Sequence, residues 1–458
     1  MTSTMPTSEN VSGMSSPFVS FADQAMYLAH TAGGQQAVIQ VLWRYRRPVD
    51  LDALTQFRDN LAQGRLARLI RPALLPFGRP RWASAPLPSS TPAVASAPLA
   101  PMALQAWVDA QVELPLDPER GPGWTLTIQP FADGSTVVSL VVSHCIADGM
   151  AAALAVSEAI RGERRPPAYP VRSQRSAATL AGELLRVVQD APATFRALAQ
   201  LARRARTSRA IHRTPTTSPV AATGDDRTVV FPSAFIRVPM SIWDAKARSL
   251  GANRLTLLTA VTAAFAEALG RVRGKDATLL IPVNQRDGVS ETGGNHVSLA
   301  TLKVPVDELS GRLHTLQRRL QATLLRTRRG PDPLAALLPL VPFVPTRAFS
   351  AAAHLALGAL ADLPVTCSYM GEWPTDVLRI DGAPADRFCF RGVDRQVSLR
   401  AIEARQGVAT LLAGVVPGFL LLNFVAYQPD MVTESHHLRA LVERLLVTYD
   451  LTGEFFDG

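Results

Sequence analysis

The run Thr136-Val-Val-Ser-Leu-Val-Val-Ser143 leads without a break into His144-Cys-Ile-Ala-Asp148-Gly149, and Met150-Ala-Ala-Ala-Leu154 follows. Five of the first eight residues are apolar and the other three carry only a hydroxyl, which suits a strand covered on both faces. After Gly149 the period changes from two to helical, with Met150, Leu154 and Ser157 and then Ala151, Ala155 and Ala159 recurring three and four residues apart. The stretch therefore predicts a strand, a tight loop over His144 to Gly149, and a small-residue helix. Gly149 lets the chain turn into that helix without a Cβ clash. A neutral imidazole at the end of an interior strand can take a proton from an alcohol as its oxygen attacks an acyl carbon, the ordinary work of histidine in general-base catalysis. A histidine satisfied inside a core is the competing reading, and the strand, the glycine and the alanine-rich helix count against it.

Outward from this stretch the same alternation of strand and helix continues. Upstream, Phe21 to Ala29 and Leu51 to Ala62 read as helices and Ala37 to Trp43 as a strand. Trp124 to Gln129, the Asp133-Gly134 turn and Thr136 to Ser143 form a hairpin. Ser84 to Pro101 is rich in Pro, Ser and Ala and reads as an extended surface loop. Downstream, Ala177 to Arg206 reads as a helix ending in Arg203, Arg204 and Arg206. A second unit then begins with a strand at Val229 to Val238, Ser241 as an N-cap and a helix from Thr256 to Leu269. Strands are expected at Ala277 to Val283, His296 to Val304, Gln396 to Glu403, Val408 to Val415 and Leu420 to Tyr427, with helices at Leu309 to Arg328 and Ser435 to Tyr449. The chain divides into a first lobe (1–175), a crossover linker (176–228) and a second lobe (229–458), each an α/β unit.

Composition fits this division. A chain of 458 residues, 47% hydrophobic and 19% charged, can bury two cores of ordinary domain size. Three widely spaced cysteines, Cys145, Cys367 and Cys389, supply neither a disulfide framework nor a paired zinc site, so a reducing, cytoplasmic setting and no metal are expected. The net charge of +9 comes mainly from arginine; it suits an anionic cofactor or lipid surface as readily as it reflects a GC-rich genome, and nucleic acid is not expected as a partner. Met1 to Ser16 has no apolar core and reads as a frayed terminus rather than a signal peptide. Leu334 to Leu360 is apolar but is interrupted by Pro339, Pro342, Pro345 and Arg347, which argues against a membrane span. Its tail, Ala348 to Ala361, reads as a buried helix or apolar wall, and contact with a lipid surface is the further expectation it raises.

The segment from Ser143 to Gly149 resembles the His-His-x-x-x-Asp-Gly motif of the superfamily that holds chloramphenicol acetyltransferase, peptide-synthetase condensation domains, polyketide-associated acyltransferases and bacterial wax ester synthase/diacylglycerol acyltransferases. His144, Asp148 and Gly149 match the second histidine, the aspartate and the glycine; Ser143 replaces the first histidine. Phe21-Ala-Asp-Gln-Ala-Met-Tyr-Leu28 resembles the N-terminal signature of the wax ester synthase group. Pro282-Val-Asn-Gln-Arg286 followed by Gly294-Asn-His-Val-Ser298 resembles that group's second-lobe motif, and Cys367-Ser-Tyr-Met-Gly371 resembles a degenerate Ser-Asn-x-Gly stretch.

The resemblance implies two chloramphenicol-acetyltransferase-like lobes, each an α+β two-layer sandwich, with a channel between them. It implies transfer of an acyl group from a CoA or carrier-protein thioester to an alcohol, giving an ester in lipid metabolism, with His144 as base and Asp148 in the catalytic set. Asp148 is expected to pair with Arg286. Asn295 is expected to orient the base or line the channel, and Ser143 and Ser368 to line it or stabilise the oxyanion. No bound cofactor is implied beyond the thioester co-substrate. Two alternatives stand beside this reading: an amide-forming condensation enzyme on carrier-bound substrates, and a catalytically silent lipid- or partner-binding homologue. Two motifs are set aside. His436-His437 opens a polar helix with Leu441 where the aspartate would fall, and Cys145, adjacent to His144, is read as core rather than as a thiol nucleophile.

Overall fold

A computed structural model describes residues 16–32, 36–86, 93–166, 169, 176–211, 226–286, 294–329, 335–344 and 363–457. The first half contains α1 (Phe21–Ala32), β1 (Gln36–Tyr45), α2 (Leu51–Ala62), β2 (Arg68–Arg71), β3 (Arg81–Ser84) and β4 (Ala93–Val94). Then come α3 (Leu104–Val112), β5 (Trp124–Pro130), β6 (Thr136–Ser143), α4 (Gly149–Ile160) and the long α5 (Ala177–Ile211). The second half opens with β7 (Thr228–Val229), β8 (Ser233–Pro239), α6 (Met240–Ser249), α7 (Arg254–Ala268), β9 (Val272–Arg273), β10 (Asp276–Asn284) and β11 (Val297–Pro305). It continues with α8 (His314–Arg329), β12 (Val365–Glu372), β13 (Arg387–Arg395), β14 (Val397–Ser398), α9 (Leu399–Ala404), β15 (Val408–Val416), β16 (Phe419–Tyr427), α10 (Ser435–Thr448) and β17 (Glu454–Phe455).

Two sheets organise these elements. The first runs β13-β1-β6-β5-β4, and the second runs β11-β10-β12-β15-β16-β8-β17 with β9 on the side of β10. In the second sheet β12 lies parallel to β10 and to β15, and the remaining pairs are antiparallel. Strand β6 sits inside the first sheet with all eight residues buried, as its apolar sequence predicts. One face of that sheet places Ile39, Val41, Trp43, Leu140 and Val142 against α2 and α4; the other places Val38 and Val141 with Val112 of α3. The alanines of α4 bring it close to α2, where Asn60 donates Nδ2 to the Ala159 carbonyl at 2.8 Å. The second lobe has its own core, built on α7 and on Leu279, Leu411, Leu422 and Phe424 of the sheet.

One strand changes the expected division of the chain. β13 arises in the second half yet pairs along its whole length with β1 of the first sheet, Gln36 opposite Arg395 through Arg44 opposite Arg387. The sequence reading places no strand there and puts one at Gln396 to Glu403, where the chain instead forms β14 and then α9. β13 escapes a hydrophobic pattern because Arg391 and Arg395 occupy buried positions. Ser241 is likewise not an N-cap: α6 starts at Met240 after Pro239, while α7 is capped by Asn253, whose Oδ1 accepts the Thr256 N–H at 2.8 Å. The Val229 to Val238 strand is broken into β7 and β8, and the linker is occupied by α5. Ala335–Phe343 forms a 3₁₀ stretch that carries Pro339 and Pro342. The apolar tail Ala348 to Ala361 lies outside the described residues. Among the described residues, no helix is long and apolar enough to cross a membrane.

Candidate active site

Strand β6 delivers His144 to the point where the two lobes meet. The β1–β6 ladder continues one rung past the strand, the His144 N–H donating to the Ala37 carbonyl at 2.9 Å, and the Ile146 N–H then closes a turn onto the Ser143 carbonyl at 3.0 Å. His144 itself is half-buried while its neighbours Ser143, Cys145, Ile146 and Ala147 are buried. Among the described residues the His144 Nδ1 is buried without a hydrogen-bond partner, so the accessible edge of the ring is the one that carries Nε2.

Asp148 caps α4, its Oδ1 accepting the Ala151 N–H at 2.9 Å. Its other oxygen accepts from Arg286 NH1 at 2.6 Å and from the His296 N–H at 3.2 Å, and its own N–H donates to the Gly294 carbonyl at 2.9 Å. Arg286 NH2 reaches the same Gly294 carbonyl at 3.2 Å. The pair expected from the resemblance is thus present, with side chains only 5% and 4% exposed. A buried carboxylate requires such compensation, because an unpaired one costs several kcal/mol. With both oxygens engaged and turned into protein, Asp148 fixes the loop that carries His144.

Asn295 joins the His144 loop to α1. Its Nδ2 donates to the His144 carbonyl at 3.0 Å and to Asp23 Oδ1 at 2.9 Å, while its N–H donates to the same Asp23 oxygen at 2.6 Å. Asp23, on α1, also accepts from the Ser20 hydroxyl at 2.7 Å. Burial holds the Asp23 carboxyl above the usual carboxylate range, against the pull of its Ser20 and Asn295 hydrogen bonds and of Arg68. A Cβ on Gly294 would stand 2.5 Å from Asp23 Oδ1, which explains glycine at this close approach. The first-lobe loop and the β10–β11 connection of the second lobe are therefore locked together beneath the imidazole.

The remaining candidates separate. A Cβ on Gly149 would meet Met370 Cε at 2.6 Å, so the start of α4 touches β12. Ser368, two residues before Met370, is half-buried on that strand and pairs with Leu412. Ser143 is 1% exposed and its hydroxyl accepts the Cys145 N–H at 3.4 Å; it braces the turn and lines no channel, because the alternation of β6 points it to the α3 face. Cys145 is buried, and desolvation pushes its thiol up to about 12, so it supplies no thiolate at neutral pH. His436 and His437 are exposed at the start of α10. A cavity of about 780 Å³ opens on the α3 face of the first sheet, lined by Trp107, Gln111, Thr125, Thr127 and Arg395. It does not contain His144.

No protein-family model matches the chain, and no curated protein matches its sequence significantly. Solved structures do match. The first condensation domain of the calcium-dependent antibiotic synthetase, in complex with a substrate analogue, aligns with a TM-score of 0.57 at 18% identity over 96% of this chain and 95% of that one. Polyketide synthase associated protein 5 from Mycobacterium tuberculosis aligns with a TM-score of 0.54 at 14% identity over 95% and 98%. A double mutant of the starter condensation domain of rhizomide synthetase, in complex with C8-CoA and Leu-SNAC, aligns with a TM-score of 0.55 at 16% identity over 94% of each chain. The chain has the condensation-domain fold. The two-lobed α/β architecture that the resemblance implies is therefore shown. In the condensation-domain fold of this chain, β13 is the element that builds second-half residues into the first sheet, and Asp148, Arg286, Gly294 and Asn295 fasten the lobes from the other direction.

Proposed function

We propose that this chain is an acyltransferase that moves an acyl group from a thioester to a nucleophile, with His144 as general base. The observation that carries the reading is the way His144 is held: half-exposed, its N–H on Ala37 and its carbonyl on Asn295, above an aspartate fully engaged elsewhere. Such fixation suits a base that must meet a reacting proton in one geometry. Nε2 takes the proton of the acceptor as its oxygen bonds to the acyl carbon. The tetrahedral intermediate then expels the thiolate, which receives that proton from the imidazolium. The products are an acylated acceptor and a free thiol.

In its finer form the acceptor is an alcohol, the donor an acyl-CoA or acyl-carrier thioester, and the product an ester, with Ser368 on β12 as the second-lobe hydroxyl assigned to the oxyanion. The wax ester synthase and diacylglycerol acyltransferase likeness of the motifs supports this form. The condensation domains among the structural matches support a second one, in which an amine on a carrier-bound substrate attacks and an amide results. One structure of this fold holds both C8-CoA and Leu-SNAC, which recommends testing both thioester types. Mass spectrometry of products from a panel of acyl-CoAs and acyl-N-acetylcysteamine thioesters, each offered an alcohol and an amine, separates the two forms. Ester mass with alcohols alone is the expected result; amide mass alone selects the second form, and release of neither product contradicts acyl transfer.

A further inference from the structure

The fold brings a second carboxylate to His144 from β13. In the β1–β6 ladder Val38 stands opposite Ser143, so the next rung sets Ala37 opposite His144, and the His144 N–H to Ala37 carbonyl bond confirms that rung. In the β1–β13 ladder Ala37 stands opposite Asp394. Asp394, Ala37 and His144 therefore form one row across three strands. Residues in one row project from the same face of a sheet. Val393, Val38 and Val141 mark the α3 face, whereas Phe390, Ile39 and Val142 mark the face covered by α2 and α4, and alternation assigns the Asp394 row to this second face. The row spans two strand spacings, roughly 10 Å between the outer Cα atoms. Alanine in the middle leaves the two longer side chains free to lean toward each other.

Asp394 does not act alone. Its Oδ2 stands 3.8 Å from Arg405 NH1, just beyond α9, and both side chains keep about a fifth of their surface, 24% and 19%. Burial raises the Asp394 carboxyl above its ordinary range, and Arg405 and then His144 draw it back down. Asp148 is engaged with Arg286 below the loop, and Asp23 of α1 with Ser20 and Asn295, while buried Arg68 lies within the electrostatic field of both carboxylates. Cys145 beside it stays a neutral thiol.

We infer that Asp394 is a positioning residue for the general base: held by Arg405, its carboxylate faces His144 across Ala37 and favours the imidazolium that forms when the acceptor proton is taken. This inference rests on the acyl-transfer reading for its purpose, but not for its test. Arg405 offsets part of the Asp394 charge.

Titration of His144 by ¹⁵N-histidine NMR on the full chain, with His144→Ala to assign the resonance, measures the coupling directly. Asp394→Asn is expected to lower the His144 midpoint, Arg405→Gln to raise it, and Asp394→Glu to restore the wild-type value. An unchanged midpoint in both Asp394→Asn and Arg405→Gln overturns the inference, as does a rise in Asp394→Asn. If Asp394→Asn fails to fold, Arg405→Gln and Asp394→Glu carry the test in the same way. A shifted midpoint with no acyl transfer on any substrate would sink the proposed reaction and leave the coupling intact; transfer with an unmoved midpoint would do the reverse.

Discussion

Two buried arginines tie the lobes of this molecule, and they differ in what lies at the far end of the tie. Arg286 comes from the β10–β11 connection and ends on Asp148, four residues past His144, at the first turn of α4. Arg391 comes from β13 and ends on Gln40 Oε1 at 2.8 Å, Asp109 Oδ1 at 2.8 Å, the Val108 carbonyl and the Ser233 hydroxyl. Both side chains are almost wholly enclosed, at 4% and 0% exposure. Burial and pairing therefore do not by themselves mark a functional residue. What distinguishes Arg286 is its address: its partners Asp148 and Gly294 sit beneath His144, whereas those of Arg391 belong to the α3 face of the first sheet and to β8.

Replacing each arginine with methionine of similar length separates the two ties. Removal of one member of a buried pair strands the other, and each replacement is expected to cost about 3–5 kcal/mol of stability. Denaturant unfolding should report similar losses for both. The two should part in the surviving native fraction: Arg286→Met loses acyl transfer by at least about tenfold, as expected when the geometry of a base is loosened, while Arg391→Met keeps its turnover per folded molecule. Equal turnover losses would show that position relative to His144 carries no weight.

A smaller effect is expected at Asn295. Asn295→Ala removes the donor to the His144 carbonyl and leaves Asp23 with the Asn295 backbone N–H and Ser20. The loss of one buried hydrogen bond to a carbonyl and one to a carboxylate is expected to cost about 1–3 kcal/mol. Turnover should fall by a smaller factor than in Arg286→Met, with the Michaelis constant little changed. A rise in the Michaelis constant alone would mean that Asn295 lines the substrate path rather than steadying the loop.

Much of this geometry was legible in the residues around His144, because the signals there are local. An apolar strand, a glycine and an alanine-rich helix follow one another, and each is what its own propensity dictates. The Asp148–Arg286 pair came only from the resemblance, since 138 residues separate the two and no periodicity links them. Asp23 was visible within the Phe21 to Leu28 segment but not as a partner of Asn295, because a carboxylate on an amphipathic helix reads as surface until the fold buries it. β13 and Asp394 were not legible at all. A strand whose inward positions include Arg391 and Arg395 violates the alternation by which strands are recognised, and its partner β1 lies some 350 residues upstream, as the Arg391–Gln40 separation of 351 shows. The placement of Ser143 in the channel failed for a simpler reason: successive residues of β6 face opposite sides, and the side of His144 is not the side of Ser143.

The most direct measurement is the rate of acyl transfer by His144→Ala beside the wild-type chain, with the thioester and acceptor that give most product and with both proteins shown to unfold at the same denaturant concentration. A positioned general base contributes about 10²–10⁴-fold, so a loss within that range, with fold and stability retained, is the predicted result. An unchanged rate would contradict the assignment of His144 and, with it, the chemistry proposed for the site.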